Sequence, residues 1–80
     1  MKISEAVAKR TRELLIQKGI TQYRLEQKMA IPHNTMTTIM NAKNNSVNLK
    51  TVMQISRGVG ISFSEFFNSP IFENEELEID

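Results

Sequence analysis

The sequence has no cysteine and no tryptophan, and among its 80 residues there are only three glycines, two prolines and one histidine. Without cysteine there is neither a disulfide framework nor a thiolate metal site, which fits a reducing compartment. The lone histidine has no cluster of carboxylates at ligand spacing around it, so the sequence predicts no metal site and no cofactor. The longest uncharged apolar runs are three or four residues, whereas a membrane span requires about 20.

The length of the chain and its first residues limit the number of domains and the targeting signals that we expect. Because domains usually run to ~100–150 residues, 80 residues supply one small domain. Its N-terminal segment, MKISEAVAKR, contains no apolar stretch of the signal-peptide kind. We therefore expect a cytoplasmic, single-domain protein with no membrane partner and no small-molecule ligand.

Charge is distributed unevenly along the chain. Residues 1–69 contain all ten Lys and Arg against four Glu, a net charge of +6, whereas residues 70–80 carry five acidic residues and no basic one. A basic body favours polyanion partners, of which nucleic acid is the commonest. An ordinary solvated surface explains the same charge equally well, so charge alone does not decide between these interpretations.

Apolar spacing and turn signals predict five short helices and no β-sheet. The predicted helices are about 3–18, 22–29, 33–41, 48–59 and 62–67. Candidate N-caps, which accept backbone N–H bonds in a first turn, are Ser4, Thr21, Asn48 and Ser62. Gly19 and Gly60 stand where helices end, and Gly58 costs its helix about 1 kcal/mol relative to Ala. Residues 77–80 alternate weakly, as in a short edge strand or a frayed end, and we favour the frayed end.

Residues 21–41 have the spacing of a helix, a turn of about three residues and a second helix. The outward side of the second helix is polar and uncharged, with His33, Asn34, Thr37 and Thr38 on it and Thr35 near its edge. Side chains of this kind can form hydrogen bonds with base edges in a major groove, which is about 12 Å wide and admits one helix.

At this point the sequence resembles a known family. Two segments, ITQYRLEQKMAIPHNTMTTIMNAK and NLKTVMQISRGVGISFSEFF, resemble the Cro and phage-repressor type (XRE-like) helix-turn-helix DNA-binding domain. The resemblance covers about residues 3–68. It implies an all-α, compact five-helix bundle containing a helix-turn-helix, followed by a short acidic C-terminal tail.

The resemblance also implies roles for individual residues, carried over by position. The third helix would read the major groove, with base contacts from His33, Asn34, Thr37 and Thr38. Phosphate contacts would come from Gln22, Arg10, Thr35, Asn41, Lys43 and Asn44.

Three positions depart from the family pattern. The family usually has a small residue where Glu26 stands, so we expect Glu26 to bend outward, toward a base such as Lys43. It usually has Gly where Ala30 stands, which implies a strained or altered turn. Thr38 replaces a longer polar residue, so we expect modest specificity per half-site.

We expect a sequence-specific double-stranded DNA-binding transcriptional regulator rather than an enzyme, with residues 1–69 as the DNA-binding domain. A homodimer would place two recognition helices ~34 Å apart on a palindromic site. One alternative is a protein-interaction module of the same fold, such as the antitoxin of a toxin–antitoxin pair, and another is a fold that has lost DNA binding. The acidic tail, residues 70–80, is open to three interpretations: a solvated end, a competitor of DNA, or an assembly element. We expect Ile71 and Phe72 to dock on the body.

Overall fold

The computed structural model describes residues 1–42, 47–73 and 77–79, and over these residues the protein is all-helical. The helices are α1 (Ile3–Lys18), α2 (Gln22–Met29), α3 (His33–Asn41), α4 (Leu49–Gly58) and α5 (Phe63–Phe67), followed by a 3-10 turn at Pro70–Glu73. The prediction of an all-α, five-helix bundle with a helix-turn-helix is confirmed. The 3-10 turn was not predicted.

Three of the four predicted N-caps are confirmed. Thr21, Asn48 and Ser62 accept the backbone N–H of Arg24, Thr51 and Glu65, respectively. The prediction for Ser4 was wrong, because α1 already begins at Ile3, two residues before a helix capped by Ser4 would, and Ser4 is buried in its first turn. The preceding Lys2 is the N-cap residue, and its N–H donates to the Glu5 carboxylate at 2.8 Å.

The core is formed by apolar side chains from all five helices, from the turn between α2 and α3 and from the residue after α4. Its buried members are Val7, Leu14, Leu15, Leu25, Ile31, Met36, Ile39, Val52, Ile55, Val59 and Phe66. Gly58 has a specific place in this packing, since a Cβ atom there would overlap the side chains of Leu25 and Met29. The close approach of α2 and α4 therefore explains why the chain accepts the helix-propensity cost of glycine at this position.

The described end of the chain folds back onto the body. The Phe72 ring lies 5.1 Å from that of Phe67 and 6.0 Å from that of Phe66, so the expected docking occurs at Phe72, and Ile71 is half-buried. Glu78 exchanges backbone hydrogen bonds of 2.9 Å with Met1 and Ile3 in an isolated parallel bridge. The preference for a frayed end was thus wrong at Glu78, because the N-terminus supplies partners for its peptide groups.

Candidate nucleic-acid interface

The turn between α2 and α3 is held by the backbone of two neighbouring residues. Ala30 adopts the left-handed conformation (φ 53°, ψ 41°) at the end of α2. Its N–H and that of Ile31 both reach the Glu26 carbonyl, and Ile31 is buried. For a non-glycine residue this conformation costs roughly 1–2 kcal/mol, so the chain keeps the turn and accepts strain in it.

The polar side of α3 faces away from the core. Met36 and Ile39 are buried, whereas the His33 side chain is 76% exposed and Asn34 and Asn41 are also exposed. Thr37 and Thr38 are half-buried at the border of the same side. The helical period of 3.6 residues brings positions 33, 34, 37, 38 and 41 onto one face, so the four residues predicted to contact bases lie together.

A buried carboxylate connects α2 to this face. Glu26 is only 4% exposed, and the Gln22 Nε2 donates to its Oε2 at 2.9 Å. The Nδ1 of His33 lies 3.0 Å from both carboxylate oxygens of Glu26. The expectation that Glu26 bends outward was wrong, because Gln22 one turn back and His33 across the turn satisfy the carboxylate inside the protein.

These contacts also set the charge of the carboxylate. The hydrogen bond from Gln22 lowers the pKa of Glu26 most. Desolvation opposes this effect, and the hydrogen bond and the charge of His33 reinforce it. The net result is a pKa below its ordinary value, so Glu26 is ionised at neutral pH and acts only as an acceptor.

The remaining polar groups of α3 differ in how much of their hydrogen-bonding capacity is free. The Thr38 hydroxyl donates to the Asn34 carbonyl at 2.8 Å and so keeps only acceptor capacity. The Thr37 hydroxyl lies 3.3 Å from the His33 Nε2. The Asn34 carboxamide makes no hydrogen bond to another described residue, so both its donor and its acceptor are available to a ligand.

Arg10 does not lie on this surface. It is 6% exposed, and its Nε and Nη2 donate to the carbonyls of Phe66 (2.7 Å) and Glu65 (2.9 Å), while its Nη1 pairs with Glu13. The expectation that Arg10 contacts phosphate therefore does not fit the structure. The reason is its position in α1, between Val7 and Leu14 on the buried side of the helix.

Arg12, which sequence reasoning missed, lies beside the recognition helix. It is exposed, and its Nη2 donates to the Met40 carbonyl near the end of α3 at 3.1 Å. The same helical spacing that turns Arg10 inward turns Arg12 outward, and this signal was available in the sequence. Arg12, and not Arg10, is therefore the arginine of α1 that lies beside α3.

The other residues expected at phosphates occupy varied positions. Gln22 is half-buried and has one amide hydrogen left after its bond to Glu26. Thr35 is half-buried, and Asn41 is exposed at the last position of α3. Lys43 and Asn44 lie outside the described residues.

The described parts of the chain offer no group of three His, Asp or Glu residues able to hold a metal ion. Every helix within them is too short or too polar to cross a bilayer.

A small helical bundle in which a tight turn joins α2 to a helix with an exposed polar face, α3, is a helix-turn-helix protein. The family model described as the Cro/C1-type HTH DNA-binding domain matches residues 10–70, which is most of the chain. The protein belongs to this family, and its general function is DNA binding in transcription regulation. No curated protein and no solved structure matches the chain significantly.

Proposed function

We propose that the protein is a sequence-specific regulator that binds double-stranded DNA by inserting α3 into the major groove. The observation that supports the proposal is the polar, uncharged face of α3, on which His33 and Asn34 are exposed, Thr37 is half-buried, and all three have hydrogen-bonding groups. Contacts to base edges carry sequence information, whereas contacts to phosphate only position the protein, and Asn and Thr side chains can reach base edges from such a face.

Each residue of this face has a base that suits it. The Asn34 carboxamide can bond adenine at N6 and N7, and the threonine methyl groups can contact the methyl group of thymine. Thr38, whose hydroxyl already donates to the backbone, contributes an acceptor and a methyl group. The His33 ring contacts the base nearest the start of α3.

Phosphate contacts lie on both sides of the reading face. Arg12 approaches the backbone from α1, while Gln22 and Thr35 serve the start of α3. Asn41, with Lys43 and Asn44 beyond it, serves the other end. These contacts fix the orientation of α3 in the groove and supply the salt-dependent part of the affinity.

A homodimer on a palindromic site belongs to the same proposal. Helix-turn-helix dimers place their recognition helices about 34 Å apart on successive major grooves. We keep residues 1–69 as the DNA-binding domain and residues 70–80 as the acidic tail. A cytoplasmic location, where the DNA would be met, also belongs to the proposal.

Selection of bound duplexes from a random pool, at fixed salt, tests the proposal. We expect an enriched palindrome for the wild-type chain. Asn34→Ala should weaken binding to that site by about 1–3 kcal/mol and leave random DNA nearly unaffected. Gln17→Ala, an exposed change on α1, is the control. An equal loss on specific and random DNA would exclude base reading by Asn34, and a pool without enrichment would exclude sequence specificity.

The interaction-module alternative, such as an antitoxin, makes a different prediction. It requires a small protein that copurifies with this chain and whose removal alters the tail. No contact of the described residues favours it over DNA recognition, so it stays a hypothesis.

A further inference from the structure

We propose that Glu26 is a positioning residue that decides which ring nitrogen of His33 carries the hydrogen and therefore which base His33 accepts. In this arrangement the Nδ1 of His33 bonds the Glu26 carboxylate, and the Nε2 of His33 faces the DNA. The inference rests on the proposed function, because it concerns one position of the base-reading face.

The geometry links a buried group to an exposed one. Glu26 is 4% exposed, whereas the His33 side chain is 76% exposed. Contacts of 3.0 Å from Nδ1 to both carboxylate oxygens leave Nε2 as the only ring nitrogen directed away from the protein body. Gln22 holds the other side of the carboxylate at 2.9 Å, so Glu26 cannot turn away from the ring without losing a second bond.

The chemistry of the pair then fixes the hydrogen. An ionised carboxylate only accepts hydrogen bonds, so Nδ1 must be the donor. In the neutral ring the second nitrogen has no hydrogen, and Nε2 therefore presents a lone pair. The Thr37 hydroxyl, 3.3 Å from Nε2, can donate to that lone pair in the free protein. A neutral histidine side chain without such a partner favours the opposite form, with the hydrogen on Nε2.

This choice has a direct consequence for base recognition. An Nε2 lone pair accepts from the amino groups of adenine or cytosine, whereas an Nε2–H donates to the N7 and O6 of guanine. Neutral His33 held by Glu26 therefore selects adenine or cytosine. The protonated ring, or a neutral ring released from Glu26, donates from Nε2 and selects a base with an exposed acceptor, which is guanine, thymine or, through its N7, adenine.

Few other titratable groups face the ring. Tyr23 lines the same surface depression as His33 and Glu26, together with the uncharged residues Gln27, Ala30, Ile31 and Pro32. From α1, Arg12 reaches α3 at Met40, toward the opposite end of that helix. Glu26 is thus the charged group in direct contact with the ring among the described residues.

The first test needs no DNA. His33 is the single histidine of the chain, so nitrogen NMR of the full-length protein reports its ring without ambiguity. At about pH 8.5, where histidine is ordinarily neutral, we expect the hydrogen on Nδ1. Glu26→Leu should move it to Nε2, and the matched control Gln27→Leu, an exposed neighbour in α2, should not. A wild-type ring with its hydrogen on Nε2 would overturn the inference, even if the Glu26→Leu variant failed to fold.

The second test is selection of duplexes by wild type and Glu26→Leu at about pH 8.5, the pH of the first test. His33→Ala identifies the base position that depends on the ring. We expect adenine or cytosine there for wild type and a gain of guanine or thymine for Glu26→Leu, with a preference change of about twofold to tenfold, the range of one hydrogen bond.

The outcomes separate the two proposals. If wild type enriches no site, the proposed function fails, and the base-reading role of His33 fails with it. If a site is enriched but His33→Ala changes no position, or Glu26→Leu gains neither guanine nor thymine at that position, only the inference fails.

Discussion

Glu26 and Arg10 are both almost fully buried, at 4% and 6% exposure, but they bond different kinds of group. Glu26 bonds two side chains, Gln22 of α2 and His33 at the start of α3. Arg10 bonds the backbone carbonyls of Glu65 and Phe66 in α5. The charge of Arg10 therefore joins α1 to α5 through the backbone, whereas the charge of Glu26 orients the side chains of Gln22 and His33.

Arg10→Met should produce the largest effect and should fall on stability. The substitution leaves the carbonyls of Glu65 and Phe66 without their charged donors, which we expect to lower the free energy of unfolding by about 2–4 kcal/mol. Urea denaturation measures the loss. Lys9→Met, an exposed cation on the same helix, should change stability by less than about 0.5 kcal/mol. A similar small loss for both variants would remove the structural role of Arg10.

Arg12→Ala, unlike Arg10→Met, should change DNA binding and not stability. Removal of an exposed cation beside α3 should weaken binding to all sequences by roughly 1 kcal/mol and make the salt dependence shallower by about one ion. Affinities across a salt series give the slope. Arg10→Met, measured at a temperature where circular dichroism shows it folded, should keep the wild-type slope. If the slopes of the two variants are exchanged, the assignment of the two sides of α1 is wrong.

Ala30→Gly tests whether the strain of the turn serves recognition. Glycine adopts the left-handed conformation without the Cβ penalty, and we expect a gain of about 0.5–1 kcal/mol after its larger entropy loss is counted. Thermal unfolding measures this gain, and Ala42→Gly, at the other left-handed alanine, is the matched comparison. We expect unchanged DNA affinity for Ala30→Gly. A loss of affinity would mean that the strained turn contributes to the placement of α3.

Local signals in the sequence were sufficient for most of the fold. Each confirmed N-cap side chain accepts a backbone N–H only three residues further along the chain, so the start of its helix follows from local sequence. These N-caps are Thr21, Asn48 and Ser62. The missed features depend on partners far along the chain. Arg10 meets carbonyls 55 and 56 residues away, and Glu78 pairs with the N-terminus.

The candidate site divides in the same way. The outward face of α3 follows from helical periodicity, and so did the positions of His33, Asn34 and Thr37. The burial of Glu26 did not follow, because an isolated carboxylate at that position belongs in solvent. Only the joint placement of Gln22 and His33 around it makes burial favourable.

The pH dependence of stability should show the smallest effect, because desolvation partly cancels the hydrogen bonds that lower the pKa of Glu26. A carboxyl whose pKa is lower in the folded state stabilises that state when ionised. This contribution is complete above the pKa of the unfolded chain and is lost as the pH falls through the folded value. We therefore expect the stability difference between wild type and Glu26→Gln to shrink as the pH falls below about 4.5.

Urea denaturation at successive pH values would measure that difference. Glu26→Gln keeps the shape of the side chain but does not titrate, so the subtraction isolates the carboxyl from the other acidic groups. In a His33→Gln background the decrease should be weaker, because the hydrogen bond and charge of the ring contribute to the lowered pKa. A difference that grows in acid would show that desolvation outweighs the hydrogen bonds. Glu26 would then be a strained, protonatable group, without the fixed negative charge needed to hold the Nδ1 hydrogen of His33.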